Sequence, residues 1–164
     1  MKRRSFVLML VFGCLAIFGF STEVSADVPV YRLYNPNSGE HFYTIHMHEK
    51  VNCIRAGWRD EGIGWRAPET GDRVFRAYNP NAGDHHYTRN NLEVAWLKSL
   101  GWWDEGEVFF SPEVTWPKVN LYRLYNPNAK AGAHHYTPHL SERNHLIRVG
   151  WRDEGIGFYA SSIK

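Results

Sequence analysis

The segment Val30-Tyr31-Arg32-Leu33-Tyr34 sets aromatic and branched apolar residues around a polar one in the alternating pattern of a strand. Asn35-Pro36-Asn37-Ser38-Gly39 interrupts it, because proline pre-sets a turn and asparagine or glycine accepts positive φ. His41-Phe42-Tyr43-Thr44 reads as the strand returning from that corner. After it the hydrophobic period lengthens. Where the pattern recurs, Asn90-Asn91-Leu92-Glu93 has the N-x-x-E form of a capping box, and Leu97 and Leu100 follow at helical spacing. Their counterparts are Cys53 and Ala56 in the first copy and Leu146 and Val149 in the third. Each helix is predicted to stop at a glycine, Gly57, Gly101 or Gly150, where a C-terminal cap calls for positive φ. Beyond Trp58, Trp102 or Trp151, an Asp-Glu-Gly triplet leads into a short apolar strand such as Ile63-Gly64-Trp65. The predicted unit is ββαβ.

That unit is written three times, over residues 30–67, 74–111 and 121–160. Tyr34 to Tyr78 is 44 residues and Tyr78 to Tyr125 is 47, the excess lying in the linker Glu113 to Lys118; the third turn, Asn126 to Ala133, carries two further residues. Units of this size cannot each bury a face alone. The expected fold is therefore α+β and mainly β, with three ββαβ repeats packed about a pseudo-threefold axis into one compact domain. YRLYNPNSGEHFYT with a downstream GWRDEGIGW resembles a tandem repeat family of secreted Gram-positive proteins, often appended to cell-wall hydrolases, with relatives in fungi. The resemblance covers essentially the whole chain after residue 26 and implies an extracellular accessory or binding role. It supplies no catalytic residues.

Residues 1–26 read as a signal peptide: Lys2, Arg3 and Arg4 precede the apolar run Phe6 to Phe20, and small residues end at Ala26. The run is shorter than the roughly 20 residues of a spanning helix. Lipid attachment at Cys14 is the alternative fate, although VFGC is a poor box for it. The mature domain, 27–164, is expected to be secreted and extracellular, with possible association to the cell wall. Three of the nineteen Lys and Arg residues and one of the seventeen Asp and Glu residues leave with the leader, so sixteen of each sign remain. A balanced charge argues against nucleic acid or an acidic membrane as partner, since both demand uncompensated cations. Cys53 is then the sole cysteine and forms no intramolecular disulfide. A monomer is expected.

Among the recurring polar residues, Arg32, Arg76 and Arg123 lie in strands, and Glu61, Glu105 and Glu154 follow the helix of the same unit. Ion pairs Arg32–Glu61, Arg76–Glu105 and Arg123–Glu154, locking each unit end to end, are the preferred reading. A catalytic use of Asp60-Glu61 and its copies is disfavoured, because neighbours on an extended segment face opposite ways and a dyad must converge on one bond. No catalytic residue is assigned. His41, His85 and His134 are equivalent by repetition, but no metal-ligand spacing accompanies them, and no metal or cofactor is expected. Phe42, His86 and His135 share a position read as a semi-exposed aromatic, and Cys53, aligned with Leu97 and Leu146, as a buried apolar side chain.

The aromatics carry the functional expectation. Tryptophan and tyrosine recurring with asparagine, aspartate and histidine is the mixture that stacks on a sugar ring and meets its hydroxyls. The Trp58, Trp102 and Trp151 series is assigned to the core. The candidate ligand contacts are His41, Tyr43, His85, Tyr87, His134 and Tyr136, with Asn37, Asn81 and Asn128 of the turns. The predicted function is a non-catalytic module binding carbohydrate or cell-wall polymer through equivalent weak subsites. The alternatives are a small secreted hydrolase using His, Asp or Glu groups, and a protein-directed inhibitor or antibacterial effector with the repeats as scaffold.

Overall fold

The computed structural model describes residues 27–163, so the expected leader lies outside the described residues. The first unit comprises β1 (Val28–Tyr34), β2 (His41–Thr44), α1 (Met47–Arg55) and β3 (Arg59–Ala67). The second comprises β4 (Asp72–Asn79), β5 (Asp84–Thr88), α2 (Asn91–Ser99) and β6 (Trp103–Ser111). The third comprises β7 (Val119–Tyr125), β8 (His134–Thr137), α3 (Leu140–Arg148) and β9 (Arg152–Ala160). Each unit is a three-stranded antiparallel sheet with its first strand in the middle, ordered β2-β1-β3, β5-β4-β6 and β8-β7-β9. The chain is thus three ββαβ units about a pseudo-threefold axis.

The axis is filled by side chains that every unit supplies. Tyr43, Tyr87 and Tyr136 are 0–1% exposed, and their rings meet edge to face at 5.4, 5.7 and 5.8 Å. Stacked on them, Trp65, Phe109 and Phe158 form a second triangle with centroids 5.6 to 5.9 Å apart. Val30, Val74 and Leu121 complete the core.

The tyrosines also close the sheets. In an antiparallel ladder alternate residues turn their N–H and C=O away from the partner strand, and at the outer edge of β2, β5 and β8 those groups have no further strand to pair with. The Tyr87 hydroxyl accepts the Tyr43 N–H at 2.9 Å and donates to the Tyr43 carbonyl at 3.0 Å. The Tyr136 hydroxyl does the same for Tyr87 at 3.2 and 2.6 Å, and the Tyr43 hydroxyl for Tyr136 at 3.1 Å each way. The cycle returns to its start. It satisfies buried backbone groups and blunts all three sheet edges with one residue type. A backbone bond from Arg66 N–H to the Ser162 carbonyl, 2.8 Å, and another from Ser161 N–H to the Arg66 carbonyl, 2.9 Å, fasten the end of the third unit to the first.

The helices end as predicted and begin otherwise. Trp58 N–H donates to the Cys53 carbonyl and Gly57 N–H to that of Ile54, with Gly57 at φ +92°; the same two bonds recur at Gly101 and Gly150, the Schellman arrangement. At the start, the Asn90 side chain accepts from Leu92 N–H, but Glu93 does not reach back to close a capping box. It is drawn instead to Thr88 and Arg123, where a half-buried carboxylate gains more than at an exposed helix end. Helices α1 and α3 bury no residue. Cys53 is accordingly half-buried, contrary to the sequence reading, because α1 lies on the outside of its sheet. Among the described residues no helix is long and apolar enough to cross a membrane.

Two outcomes follow. Tyr87→Phe strands the N–H and C=O of Tyr43 and is expected to lower stability by about 3 kcal/mol, read from urea denaturation. Deleting residues 121–164 opens the tyrosine cycle and removes a third of both core triangles; the two-unit remainder is expected to lose cooperative unfolding and protease resistance.

Candidate functional site

Where two units meet, four rings form a ladder across the seam. Between the first and second units the order is Trp58, Phe42, His85, Tyr78, with successive centroids 6.0, 4.9 and 4.8 Å apart. Between the second and third it is Trp102, His86, His134, Tyr125, at 6.4, 4.5 and 5.2 Å. Between the third and first it is Trp151, His135, His41, Tyr34, at 6.3, 4.4 and 5.0 Å. The tryptophan is delivered by the Schellman turn that ends one unit's helix. The tyrosine stands at the end of the next unit's central strand, last in β1 and β7 and last but one in β4, directly across the ladder from its histidine.

Beneath each ladder lies an arginine hub. Arg32 Nε meets Glu61 at 2.8 Å, Arg76 Nε meets Glu105 at 2.5 Å and Arg123 Nε meets Glu154 at 2.9 Å, the intra-unit pairs expected from the sequence. A β-bulge makes these pairs possible: Tyr31 faces Ile63 and Leu33 faces Asp60, leaving one extra residue opposite Arg32, with Gly62 at φ +82°. The guanidinium reaches further than the sequence suggested. Arg76 also binds Glu49 of the first unit, at 2.8 and 3.2 Å; Arg123 binds Glu93 of the second, at 3.3 Å, and Arg32 binds Glu142 of the third, at 3.2 Å. Thr44, Thr88 and Thr137 hold the same three glutamates by their hydroxyls. Asp60 faces outward to Lys50 at 2.8 Å, so the Asp-Glu neighbours are divided between two cations.

Burial dominates the electrostatics. It pushes the His41 and His134 imidazoles down to about 3, helped by the neighbouring His135 or His86 ring and by Arg32 or Arg123. Both are therefore neutral near pH 7, and their 3.4 Å approaches to Glu61 and Glu154 are contacts of an uncharged ring. Glu93 is lowered to about 2, chiefly by His86, then by Thr88 and Arg123. At Glu49 and Glu142 burial opposes ionisation but is outweighed, by Arg76 and Thr44 in one and by His135, Thr137 and Arg32 in the other. Burial raises the phenols of Tyr43, Tyr87 and Tyr136 well above their usual range.

Three sequence assignments need correction. Tyr43, Tyr87 and Tyr136 do not reach a ligand: they are enclosed at the axis with their hydroxyls committed to backbone. The position of Phe42, His86 and His135 is buried, not semi-exposed, at 6%, 3% and 2%, because it fills the seam beneath the next unit's histidine. His41, His85 and His134 stand at the seams, each in a different one and half-buried, and so do not converge on a common point. Among the described residues no group of three or more metal-ligating side chains is placed to hold an ion. Asn37, Asn81 and Asn128 are exposed on the turns, where their N–H groups bond to Asn35, Asn79 and Asn126 side chains. The tryptophans assigned to the core are half-buried seam residues. Tyr34, Tyr78 and Tyr125 were missed, being read only as strand; their recurrence at each strand end, just before Asn-Pro, was the available signal.

Two seams open into clefts. One of about 250 Å³ lies between the second and third units, lined by Trp96, Trp102, Tyr125, His134, Arg123 and Glu154 among others. One of about 600 Å³ lies between the third and first, with Tyr34, Trp151, His41, Asn37, Asn126 and Lys130 in its walls. The fold and these sites define a closed three-unit module with quasi-equivalent seams. The chain belongs to the family described as a domain of unknown function, DUF5648, whose model matches residues 29–161. No curated protein and no solved structure matches it.

Arg76 serves two carboxylates, so Arg76→Met is expected to cost about 3 kcal/mol, with Arg76→Met/Glu105→Gln costing less than the sum of the single changes in a denaturation cycle. Acid is expected to destabilise in two stages. His41 and His134 are held neutral when folded, so the unfolded chain takes up protons first as pH falls through about 6.5, and stability declines from there towards pH 3. Glu93, Glu142 and Glu49 add a second loss below about pH 4.5, towards their depressed folded values. Melting temperature against pH shows both, and His134→Gln flattens the upper stage alone.

Proposed function

We propose that the protein is a secreted, non-catalytic module that binds carbohydrate or cell-wall polymer, and that its equivalent weak subsites are the three seams. The carrying observation is the ring ladder at each seam: half-buried tryptophan and tyrosine edges flank a histidine, above planar guanidinium and carboxylate groups. That combination offers apolar faces to a pyranose and hydrogen-bonding groups to its hydroxyls. Three similar sites on one rigid body suit a polymer, since a second contact follows the first at high effective concentration. The carboxylates a hydrolase would need are each held by a cation, Asp60 by Lys50 and Glu61 by Arg32, which favours binding over catalysis. Wall association rests on the sequence resemblance.

A protein-directed role draws support from one place. Leu92, Trp96, Leu100 and Trp103 are 55–74% exposed along α2 and the start of β6, where the first unit has His48, Asn52, Ala56 and Arg59. The threefold fold does not require these apolar residues.

Pull-down on isolated wall fractions, followed by a glycan array, tests the main reading. Trp58→Ala, Trp102→Ala and Trp151→Ala, introduced one and then two at a time in folded protein, are expected to weaken polymer binding stepwise, each by several-fold. Full binding by all three single variants and by the double variants removes the seams as the site.

A further inference from the structure

The three seams differ in whether the protein supplies a buried carboxylate, and the seam without one opens into the 600 Å³ cleft. Glu40, just before His41, is buried; its carboxylate crosses to the second unit, accepting His85 N–H at 3.0 Å and contacting His85 Nδ1 at 2.5 Å. Asp84, the equivalent residue of the second unit, is also buried and crosses to the third, accepting Gly132 N–H at 2.9 Å. In both seams, then, the protein supplies its own carboxylate to the neighbouring turn. The third unit has Ala133 at this position, whose side chain offers nothing to His41 of the first.

Around that missing carboxylate the seam is rebuilt. The third turn carries its two extra residues here, and Gly132 packs so tightly on the first turn that a Cβ would lie 2.6 Å from Glu40 Cα. The longer loop arches away beside this anchor and lines the 600 Å³ cleft with Lys130, an exposed cation that has no carboxylate partner among the described residues. Asn37, Ser38 and Asn126 supply further polar wall, and Tyr34 and Trp151 the aromatic sides. The cleft is within the volume range of small-molecule sites, about 300–1,000 Å³.

We infer that the seam between the third and first units is selective for an acidic sugar, whose ring lies between Tyr34 and Trp151 and whose carboxylate takes the place beside His41 that Glu40 fills beside His85, paired with Lys130. This rests on the carbohydrate reading above and names the chemistry of one of its subsites. The histidine beside the vacant place is neutral when the cleft is empty, and an arriving carboxylate favours its protonation, as any adjacent anion does.

The test is calorimetric titration of the full chain with a glucuronic-acid oligosaccharide and with the glucose oligosaccharide of equal length. Native protein is expected to bind the acidic sugar at least tenfold more tightly. Ala133→Asp returns a protein carboxylate to the seam and is expected to remove that preference while leaving the neutral sugar's affinity within twofold. Lys130→Met, at an exposed position that does not threaten folding, is expected to reduce the preference alone and so keeps the test decisive should Ala133→Asp fail to fold. Equal affinity for the two sugars, or a preference that survives Lys130→Met, overturns this inference and leaves the carbohydrate reading standing. No binding of either sugar overturns both.

Discussion

Three phenol hydroxyls hold the edge strands of the three units to one another, and most of the architecture follows from what that requires. A hydroxyl that both accepts an N–H and donates to a C=O of the same residue must lie in the plane of the neighbouring backbone, at the point where a further strand would have paired. The tyrosines must therefore stand at the axis with their rings crossing edge to face. The second aromatic triangle, Trp65, Phe109 and Phe158, fills the space directly against them. With the edges sealed by side chains, no continuous sheet runs round the molecule. The seams between units are instead open to being lined by rings and charges.

Those linings form a second cycle outside the first. Each arginine grips one glutamate of its own unit and one from the helix of the preceding unit, so α1 and α3, which bury no residue, are held by charge and by a threonine hydroxyl rather than by an apolar face, and α2 adds only Val94 and Leu97 to the same hold. The arrangement explains why histidines accumulate here. An imidazole is flat enough to continue the ring ladder and polar enough to lie against the carboxylates, and phenylalanine in the first unit does only the former, with Arg76 seated over its ring at 4.7 Å.

Much of this was readable in the sequence, and the failures have a common cause. The ββαβ order, the glycine caps and the intra-unit ion pairs were legible because they depend on local chemistry repeated in place. Spacing groups His41 and Tyr43 as ligand contacts, but it does not say where the axis passes, and Tyr43 lies on it while His41 lies at its margin. Similarly, Glu93 satisfied the pattern of a capping box, and nothing in a single unit distinguishes a bond back to its own backbone from a bond to Arg123. In a chain of near-identical units, a pairing within a unit and a pairing with the next carry the same residue types. Only closure into a ring separates them. The turn asparagines were correctly tied to the corners, whereas the seam tyrosines escaped notice because strand composition already accounted for them.

The bonds joining Arg66 to Ser161 and Ser162 bring the last described strand beside the first unit, and Val28 pairs with Ala67 in the same neighbourhood. The outgoing and incoming chain thus meet on one side of a closed cycle. For the fold, the order in which the units are translated is arbitrary: a permuted gene that starts at Asp72 or at Val119, with the third unit joined to Val28, encodes the same set of tyrosine, arginine and ring contacts. What the order does fix is which seam lacks a covalent crossing, and that is the seam between the third unit and the first, where the 600 Å³ cleft lies.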